Sequence, residues 1–254
     1  MATYKKRGYK PKTKVEKQDD LEDGSATAEV FNTLDEGASR TEAWVEKNQK
    51  VILGIVGVVA ICVLGYLAFD QFIQKPKEAE ASNEIFQAQK YYEQALTAEA
   101  SDSLYVRSLN GGEGKLGMLD IISEYGSTEA GNMAKYYAGV SYLNMNDYSN
   151  AIKYLDDFKS DDIILGAVAK GAIGDAFIEL NQKEDALKYY EQAASLNANE
   201  FTTPKFLLKA GVLAIDMGNA SAAIKHLTAL TETYPTSIEA TKATAYLGRA
   251  EAMN

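Results

Sequence analysis

The chain has 254 residues, 46% of them hydrophobic, and a formal net charge of −10. It is long enough for a sizeable core, and its acidity makes nucleic acid an unfavourable partner for most of it. One cysteine and one histidine exclude an intramolecular disulfide, a thiolate metal site and a multi-histidine metal site. The composition therefore argues against most metal-dependent and thiol-dependent catalysis, and the sequence predicts no cofactor.

Residues 1–38 form a polar leader without a hydrophobic period. Seven basic residues lie within residues 1–17 against one acid, and a short acidic stretch follows. This composition predicts a disordered tail. Two roles are open for it. It is either a solvated tether or a basic segment that contacts anionic lipid or ribosomal RNA, in which case binding should weaken as salt rises.

Residues 39–75 are predicted to form a juxtamembrane and transmembrane helix. The span, residues 51–69, carries no charged side chain and covers roughly 28 Å at about 1.5 Å per residue, close to the hydrocarbon thickness of a bilayer. A polar leader precedes it, which favours an uncleaved anchor over a signal peptide. The alternative is the core helix of a soluble protein, but no other segment could cover a helix that is apolar on every face.

Charge on the two sides of the span predicts its orientation. After Lys77 the chain has 14 basic and 25 acidic residues, whereas the leader begins with its basic cluster. Positive charge collects on the cytoplasmic side of membrane proteins. We therefore expect a single-pass protein of the bacterial inner membrane, with a cytoplasmic N-terminus and a periplasmic C-terminal part.

One face of the span carries small residues at helical spacing. Such a face would allow a second transmembrane helix to approach closely. The residues predicted to make this contact are Gly54, Gly57, Ile61, Gly65 and Ala68.

Residues 76–254 are predicted to be a soluble helical domain. Amphipathic patterns predict helices over 79–99 and 115–125, separated by a turn at 110–114, and together they suggest a degenerate first repeat. The glycine-rich turn is not a phosphate-binding loop, because Leu109 stands where that motif requires its first glycine.

The chain then repeats itself with a period of 35 to 37 residues. Two independent sets of small residues keep this period, as expected for a repeat array: Gly139, Gly174, Gly211 and Gly248, and Ala151, Ala186 and Ala223. The repeats are predicted near residues 131–165, 166–202 and 203–238, with a capping helix at 239–253. Pro235 closes the third repeat, while Asn146 and Asn181 stand where a turn glycine is usual.

These residues resemble the tetratricopeptide repeat, in which two antiparallel helices, A and B, stack into a solenoid. The predicted fold class is therefore all-α, with one N-terminal transmembrane helix followed by a tetratricopeptide-type α-solenoid. The inner faces of the A helices are expected to line a groove for an extended peptide or a partner helix, unless they only pack against neighbouring helices. The predicted groove residues are Tyr136, Val140, Leu143, Asn144, Asp175, Ile178, Glu179, Leu208, Val212, Ile215 and Asp216.

No pattern of catalytic or metal-ligating residues appears in the soluble part. The acidic pairs at residues 156–157 and 161–162 are expected to be solvated loop residues. His226 is expected to be structural, and Cys62 a small hydrophobic residue in lipid. The sequence thus predicts a protein that is not an enzyme.

The order of parts resembles the bacterial YfgM family from residue 40 onward. That order is a cytoplasmic tail, a short segment with Trp44, Asn48 and Lys50, one anchor helix and a tetratricopeptide array. The resemblance implies an ancillary subunit of the SecYEG translocon that works with a PpiD-like chaperone and helps exported, nascent or extended polypeptides. A scaffold of an outer-membrane-protein or cell-wall assembly complex is the alternative, and an enzyme is the most distant hypothesis.

Overall fold

A computed structural model describes the backbone of residues 26–253 and the side chains of residues 41–253. The described part contains eleven α-helices and one π-helical segment but no β-strand, and the predicted all-α fold class is confirmed. The chain divides into two compact units, Met1–Phe69 and Asp70–Asn254. The helices are α1 (Ala26–Phe69), α2 (Lys75–Ala95), α3 (Asp102–Asn110), α4 (Met118–Tyr125), α5 (Glu129–Asn144), α6 (Tyr148–Asp156), α7 (Leu165–Glu179), α8 (Lys183–Ser195), α9 (Thr203–Asp216), α10 (Ala220–Thr233) and α11 (Ile238–Glu251), and the π-helical segment is Asp70–Gln74.

The first unit contains α1. Among the described residues, one helix is long and apolar enough to cross a membrane, and no residue in its most apolar stretch is buried. This helix begins at Ala26, so residues 26–38 are helical where the sequence predicts disorder. The basic cluster of the predicted tail lies outside the described residues.

The predicted helix-packing face of the span is open in the first unit. A Cβ atom added at Gly54, Gly57 or Gly65 would meet no atom within 4 Å, and Ile61 and Ala68 are exposed. The predicted transmembrane partner stays a prediction.

The second unit begins with three helices where the sequence predicts two. Helix α2 ends at Ala95 and not at residue 99, and α3 forms from a segment for which no helix is predicted. Helix α4 begins at Met118 and not at residue 115, because Gly117 is extended, with ψ 174°. The N–H of Gly117 donates to the Asp120 carboxylate over 3.1 Å, which fixes the start of the helix.

A carboxylate from α2 holds the start of α5. The N–H groups of Glu129 and Ala130 donate to the two carboxylate oxygens of Glu78, over 2.8 and 3.2 Å. The hydroxyl of Thr128 accepts from the N–H of Gly131 over 2.9 Å. Three of the N–H groups that an α-helix leaves unpaired at its start are thereby satisfied, two of them from another helix.

The remaining helices form three antiparallel pairs, α5–α6, α7–α8 and α9–α10, followed by α11, which packs on α9 and α10. Within each pair, helix A and helix B approach closely because helix A has a glycine at the crossing. The added Cβ would lie 2.5 Å from Leu155 at Gly139, 2.6 Å from Tyr190 at Gly174 and 2.6 Å from Leu227 at Gly211. The small residues of helix B, Ala151, Ala186 and Ala223, are fully buried.

The turn between helix A and helix B has the same backbone in all three pairs. Asn146, Asn181 and Gly218 each adopt a left-handed conformation, with φ of 62°, 57° and 73°. Asparagine tolerates this region better than other residues with a side chain. The two asparagines therefore adopt the left-handed backbone conformation of the glycine that is usual at this position.

Neighbouring pairs are joined mainly through apolar side chains. Phe206 of α9 inserts against Gly171 of α7, where an added Cβ would lie 2.0 Å from the ring. Ile173 of α7 packs with Leu155 and Phe158 of the preceding pair. These contacts cover apolar surface that no single pair could bury alone.

Candidate functional site

A cavity of about 500 Å³ opens between the A-type helices α7, α9 and α11. Four of the residues predicted for the groove line it, namely Ile178, Leu208, Val212 and Asp216. The structure brings these four together because α7 and α9 are successive A helices, and their same-phase residues lie side by side. The remaining lining residues are Lys183, Tyr190, Lys209, Leu213, Lys242 and Tyr246.

The cavity has an apolar floor and a charged rim. The ammonium of Lys183 lies 2.5 Å from a carboxylate oxygen of Asp216, and this hydrogen bond lowers the pKa of Asp216. Asp175 accepts from Lys209 and, over 2.6 Å, from the hydroxyl of Tyr190. Burial and the bond to Asp175 raise the pKa of Tyr190 far above its usual value, so Tyr190 stays a neutral donor.

Other predicted groove residues lie away from this cavity. Ile215 is buried in the core formed with α10 and α11, so it is unavailable to a partner. Tyr136 packs against Phe158, with ring centroids 5.3 Å apart. Val140 packs with Phe158 against the α7 cluster. In the first pair, the helix A face therefore contributes mainly to packing.

The last predicted groove residues are peripheral. Leu143 is half-buried, and the exposed Asn144 donates to the carbonyl oxygen of Val140 in its own helix over 2.8 Å. Asp175 lies behind the cavity, where it holds Tyr190 and Lys209. Glu179 is exposed at the end of α7. The pKa of Tyr148 is raised mainly by burial and, to a smaller extent, by the carboxylate of Glu179.

Sequence reasoning missed the contribution of the last helix. Lys242 and Tyr246 belong to α11, which was predicted only as a cap. The repeat period gave no signal for them, because the predicted groove positions Leu208 and Val212 fall on residues 245 and 249 when they are moved on by 37 residues.

The acidic loop residues have structural partners. Asp156 lies 2.9 Å from the ammonium of Lys170 and accepts from the hydroxyl of Tyr189 over 3.2 Å. The hydrogen bond from Lys170 is the main cause that lowers the pKa of Asp156. Asp162 accepts from the N–H groups that open α7. Within residues 41–253, no three acidic, histidine or cysteine side chains meet as a metal ion would require.

His226 lies between helices α8 and α10, beside a second cavity of about 430 Å³. Its Nε2 is 2.9 Å from a carboxylate oxygen of Glu191, although no aligned hydrogen bond forms. Burial lowers the pKa of His226 from 6.5, and it outweighs the opposing effect of Glu191. A neutral, buried imidazole of this kind fits the structural role predicted for it.

Comparisons with known proteins identify the repeats. One family model described as a tetratricopeptide repeat matches residues 167–200, and a second matches residues 133–162 and 206–237. The matches fall on the pairs α7–α8, α5–α6 and α9–α10. The chain therefore contains tetratricopeptide repeats, and the predicted solenoid class is confirmed.

Full-length comparisons add little. No curated protein matches the chain. A solved structure described as "Crystal structure of MamA protein" is similar over 68% of this chain and 87% of that chain, with 17% sequence identity and a TM-score of 0.44.

Proposed function

We propose that the protein is a membrane-anchored, non-catalytic scaffold that binds a partner polypeptide in the cavity between α7, α9 and α11. The cavity itself carries this proposal. It lies on the A helices of tetratricopeptide repeats, which are protein-interaction modules, and it exposes an apolar floor beside fixed charges. Residues 51–69 of α1 would supply the anchor, because they form an apolar helix without buried residues.

The chemistry of the cavity favours a peptide segment with one or two apolar side chains. Ile178, Leu208 and Val212 offer apolar contacts. Lys242 forms no ion pair among the described residues, and it can meet a carboxylate or a backbone carbonyl of the partner. Recognition by apolar anchors with a polar rim is common in peptide-binding grooves.

A more specific proposal follows from the order of parts. A short segment with Trp44 before the span and a repeat array after it resemble the YfgM family. We infer that the protein is an ancillary subunit of the SecYEG translocon that works with a PpiD-like chaperone on the periplasmic side of the inner membrane. The alternative scaffold of an envelope assembly complex would use the same groove with other partners.

Site-specific photo-crosslinking in intact membranes tests both levels. A photoreactive residue at Val212 should capture a protein, whereas the same residue at Ser221, exposed on α10 away from the cavity, should not. Equal capture at both positions would contradict the groove. Mass spectrometry of the Val212 adducts then identifies the partner. SecY or a PpiD-like chaperone supports the translocon proposal, and outer-membrane or cell-wall assembly proteins alone would overturn it.

A matched variant tests the chemistry of the floor. Val212→Asp should abolish capture by a photoreactive residue at position 208, because an unpaired carboxylate would replace an apolar contact. Ser221→Asp is the control for the added charge. An undiminished adduct in Val212→Asp would show that the floor does not bind the partner.

A further inference from the structure

A row of exposed apolar residues recurs where helices α7, α9 and α11 begin. Ile164, Phe201 and Ile238 are spaced by 37 residues, and Phe201 and Ile238 are 77% and 74% exposed. Ile163 adds a fourth exposed apolar side chain. None of these residues lines the groove, because they lie in the loops between repeats or, for Ile238, at the first position of α11.

Hydrogen bonds place these loops on one edge of the second unit. The side chain of Asn132, at the start of α5, donates to the carbonyl oxygen of Lys159 over 2.6 Å and accepts from the N–H of Lys159 over 3.1 Å. The side chain of Asn199 donates to the carbonyl oxygen of Ile163 over 3.2 Å. We call this the loop edge, defined by residues 127, 159–164, 199–201 and 238.

The chain enters the second unit at the loop edge. Gln74 donates from Nε2 to the carbonyl oxygen of Ser127 over 3.1 Å, and Ser127 lies two residues before the start of α5. Phe72 and Ile73, just before Gln74, are 78% and 55% exposed. Only residues 70–73 separate this contact from the predicted end of the span at Phe69.

We propose that the loop edge contacts the surface of the bilayer that residues 51–69 cross, with Phe201 and Ile238 entering the lipid head-group region. The inference rests on the proposed membrane anchor. Only residues 70–73 lie between the predicted span and Gln74, which is bonded to the loop edge, and the exposed aromatic and branched side chains suit an interfacial environment. Exposed apolar groups that recur on one edge of a water-soluble unit otherwise have no evident partner in the described residues.

The charges on the loop edge define the kind of lipid contact. Asp161 and Glu200 are exposed beside the apolar row, and Lys159 is an exposed cation of the loop edge itself. Two more exposed cations, Lys205 and Lys242, follow Phe201 and Ile238 by four residues. The carboxylate of Asp162 is already bonded to the N–H groups of Ile164 and Leu165. The edge therefore has no excess of positive charge to attract anionic lipid. We expect contact with neutral lipid that persists at high salt.

Depth-dependent quenching in reconstituted protein tests this inference. The full chain, carrying Cys62→Ser and either Phe201→Cys or Ile238→Cys, is labelled with an environment-sensitive dye and placed in phosphatidylcholine nanodiscs. Leu180→Cys is the matched control. It is also exposed, but it lies beside the helix A to helix B turn, at the opposite end of α7 from the loop edge. Lipids with a shallow spin label should quench the dye at 201 and 238 at least twofold more than at 180.

The outcomes separate the inference from the anchor. Protein that fails to elute with the nanodiscs would contradict the anchor itself. Protein that elutes with them but shows equal, weak quenching at 201, 238 and 180 would overturn the loop-edge contact and leave the anchor intact. A blue-shifted dye at 201 without quenching by lipid would also overturn it, because a protein surface and not lipid would then cover the residue. Quenching that disappears at high salt would contradict an apolar contact.

Discussion

Gly139 of α5 lies so close to Leu155 of α6 that a methyl group at position 139 would stand 2.5 Å from Cγ of Leu155 and 3.1 Å from its backbone nitrogen. The same relation recurs 16 residues apart in the next two pairs, between Gly174 and Tyr190 and between Gly211 and Leu227. The fourth glycine in phase, Gly248, has no atom within 4 Å of an added Cβ. Four glycines that are equivalent in the sequence pattern thus have different environments.

This contrast predicts opposite effects of one substitution. Gly139→Ala should lower the free energy of unfolding by about 1–3 kcal/mol, since overpacking would push α5 and α6 apart. Gly248→Ala should raise it by about 0.5–1 kcal/mol, because alanine favours the helix and meets no neighbour. Urea unfolding of the full chain in mild detergent, followed by far-UV circular dichroism, measures both changes. Destabilisation by Gly248→Ala would show that its face is covered.

Glu78 provides a second prediction. Glu78→Gln should weaken both hydrogen bonds to the start of α5 and reduce stability by about 1 kcal/mol, because an amide is a weaker acceptor than a carboxylate at a helix N-terminus. Amide hydrogen exchange should accelerate at Glu129 and Ala130 before it changes elsewhere. Glu93→Gln, on the exposed side of the same helix, is the control. Unchanged exchange at Glu129 would contradict the cap.

The buried imidazole of His226 predicts a pH dependence of stability. Its pKa is lowered from 6.5 by burial, so the unfolded chain binds the proton more readily than the folded protein. Stability should therefore fall as pH decreases from about 7.5 to about 5. His226→Gln should flatten this slope, whereas Glu191→Gln should steepen it, because the carboxylate favours the charged ring.

Urea midpoints at the two pH values measure the effect. The carboxyl groups with lowered pKa, Asp156, Asp162 and Asp216, titrate below their usual value of 3.8 and do not contribute to this range. An identical slope in His226→Gln would assign the pH dependence to other groups.

The left-handed turn residues predict a stabilising change. Asn181→Gly should be neutral or should raise stability by up to about 1 kcal/mol, whereas Asn181→Ala should lower it by about 1 kcal/mol, because φ is 57° at this position and a Cβ without a polar side chain is disfavoured there. Asn181 suits this test better than Asn146, whose side chain also accepts from the hydroxyl of Tyr148. Thermal melting of the two variants shows whether each substitution raises or lowers stability. A more stable alanine variant would contradict the assigned turn.

The three helix pairs could be predicted from the sequence because their small residues recur at a nearly constant spacing. The glycine and alanine phases led to the three helix pairs because close helix crossings tolerate only small residues, and this restriction persists in every repeat. The segment before α5 was harder to predict. Helix α3 has only nine residues, and its buried apolar pair, Tyr105 and Leu109, is too short a pattern to predict a helix. Helix α4 starts at Met118 because of the extended Gly117, which is a tertiary effect of the loop around it.

The groove was only partly accessible for the same reason. Leu208 and Val212 follow from helical spacing, and the structure places them in the cavity. Ile215 is buried because α11 covers that side of α9. The residue pattern within one repeat cannot predict which of its faces the next helix will cover. Tyr190 reaches the cavity from a helix B, and its position depends on the hydrogen bond to Asp175, which connects two helices.

The contacts of α2 with the start of α5 also have a mechanical consequence. Gln74 immediately precedes α2 and donates to Ser127, just before α5, while Glu78 in the first turn of α2 accepts from the first residue of α5. A pulling force applied to the chain at Asp70 would therefore act on α2 and on the first repeat together, and α2 would not separate first. Mechanical unfolding from this end would require these hydrogen bonds to break before α2 could separate from the first repeat.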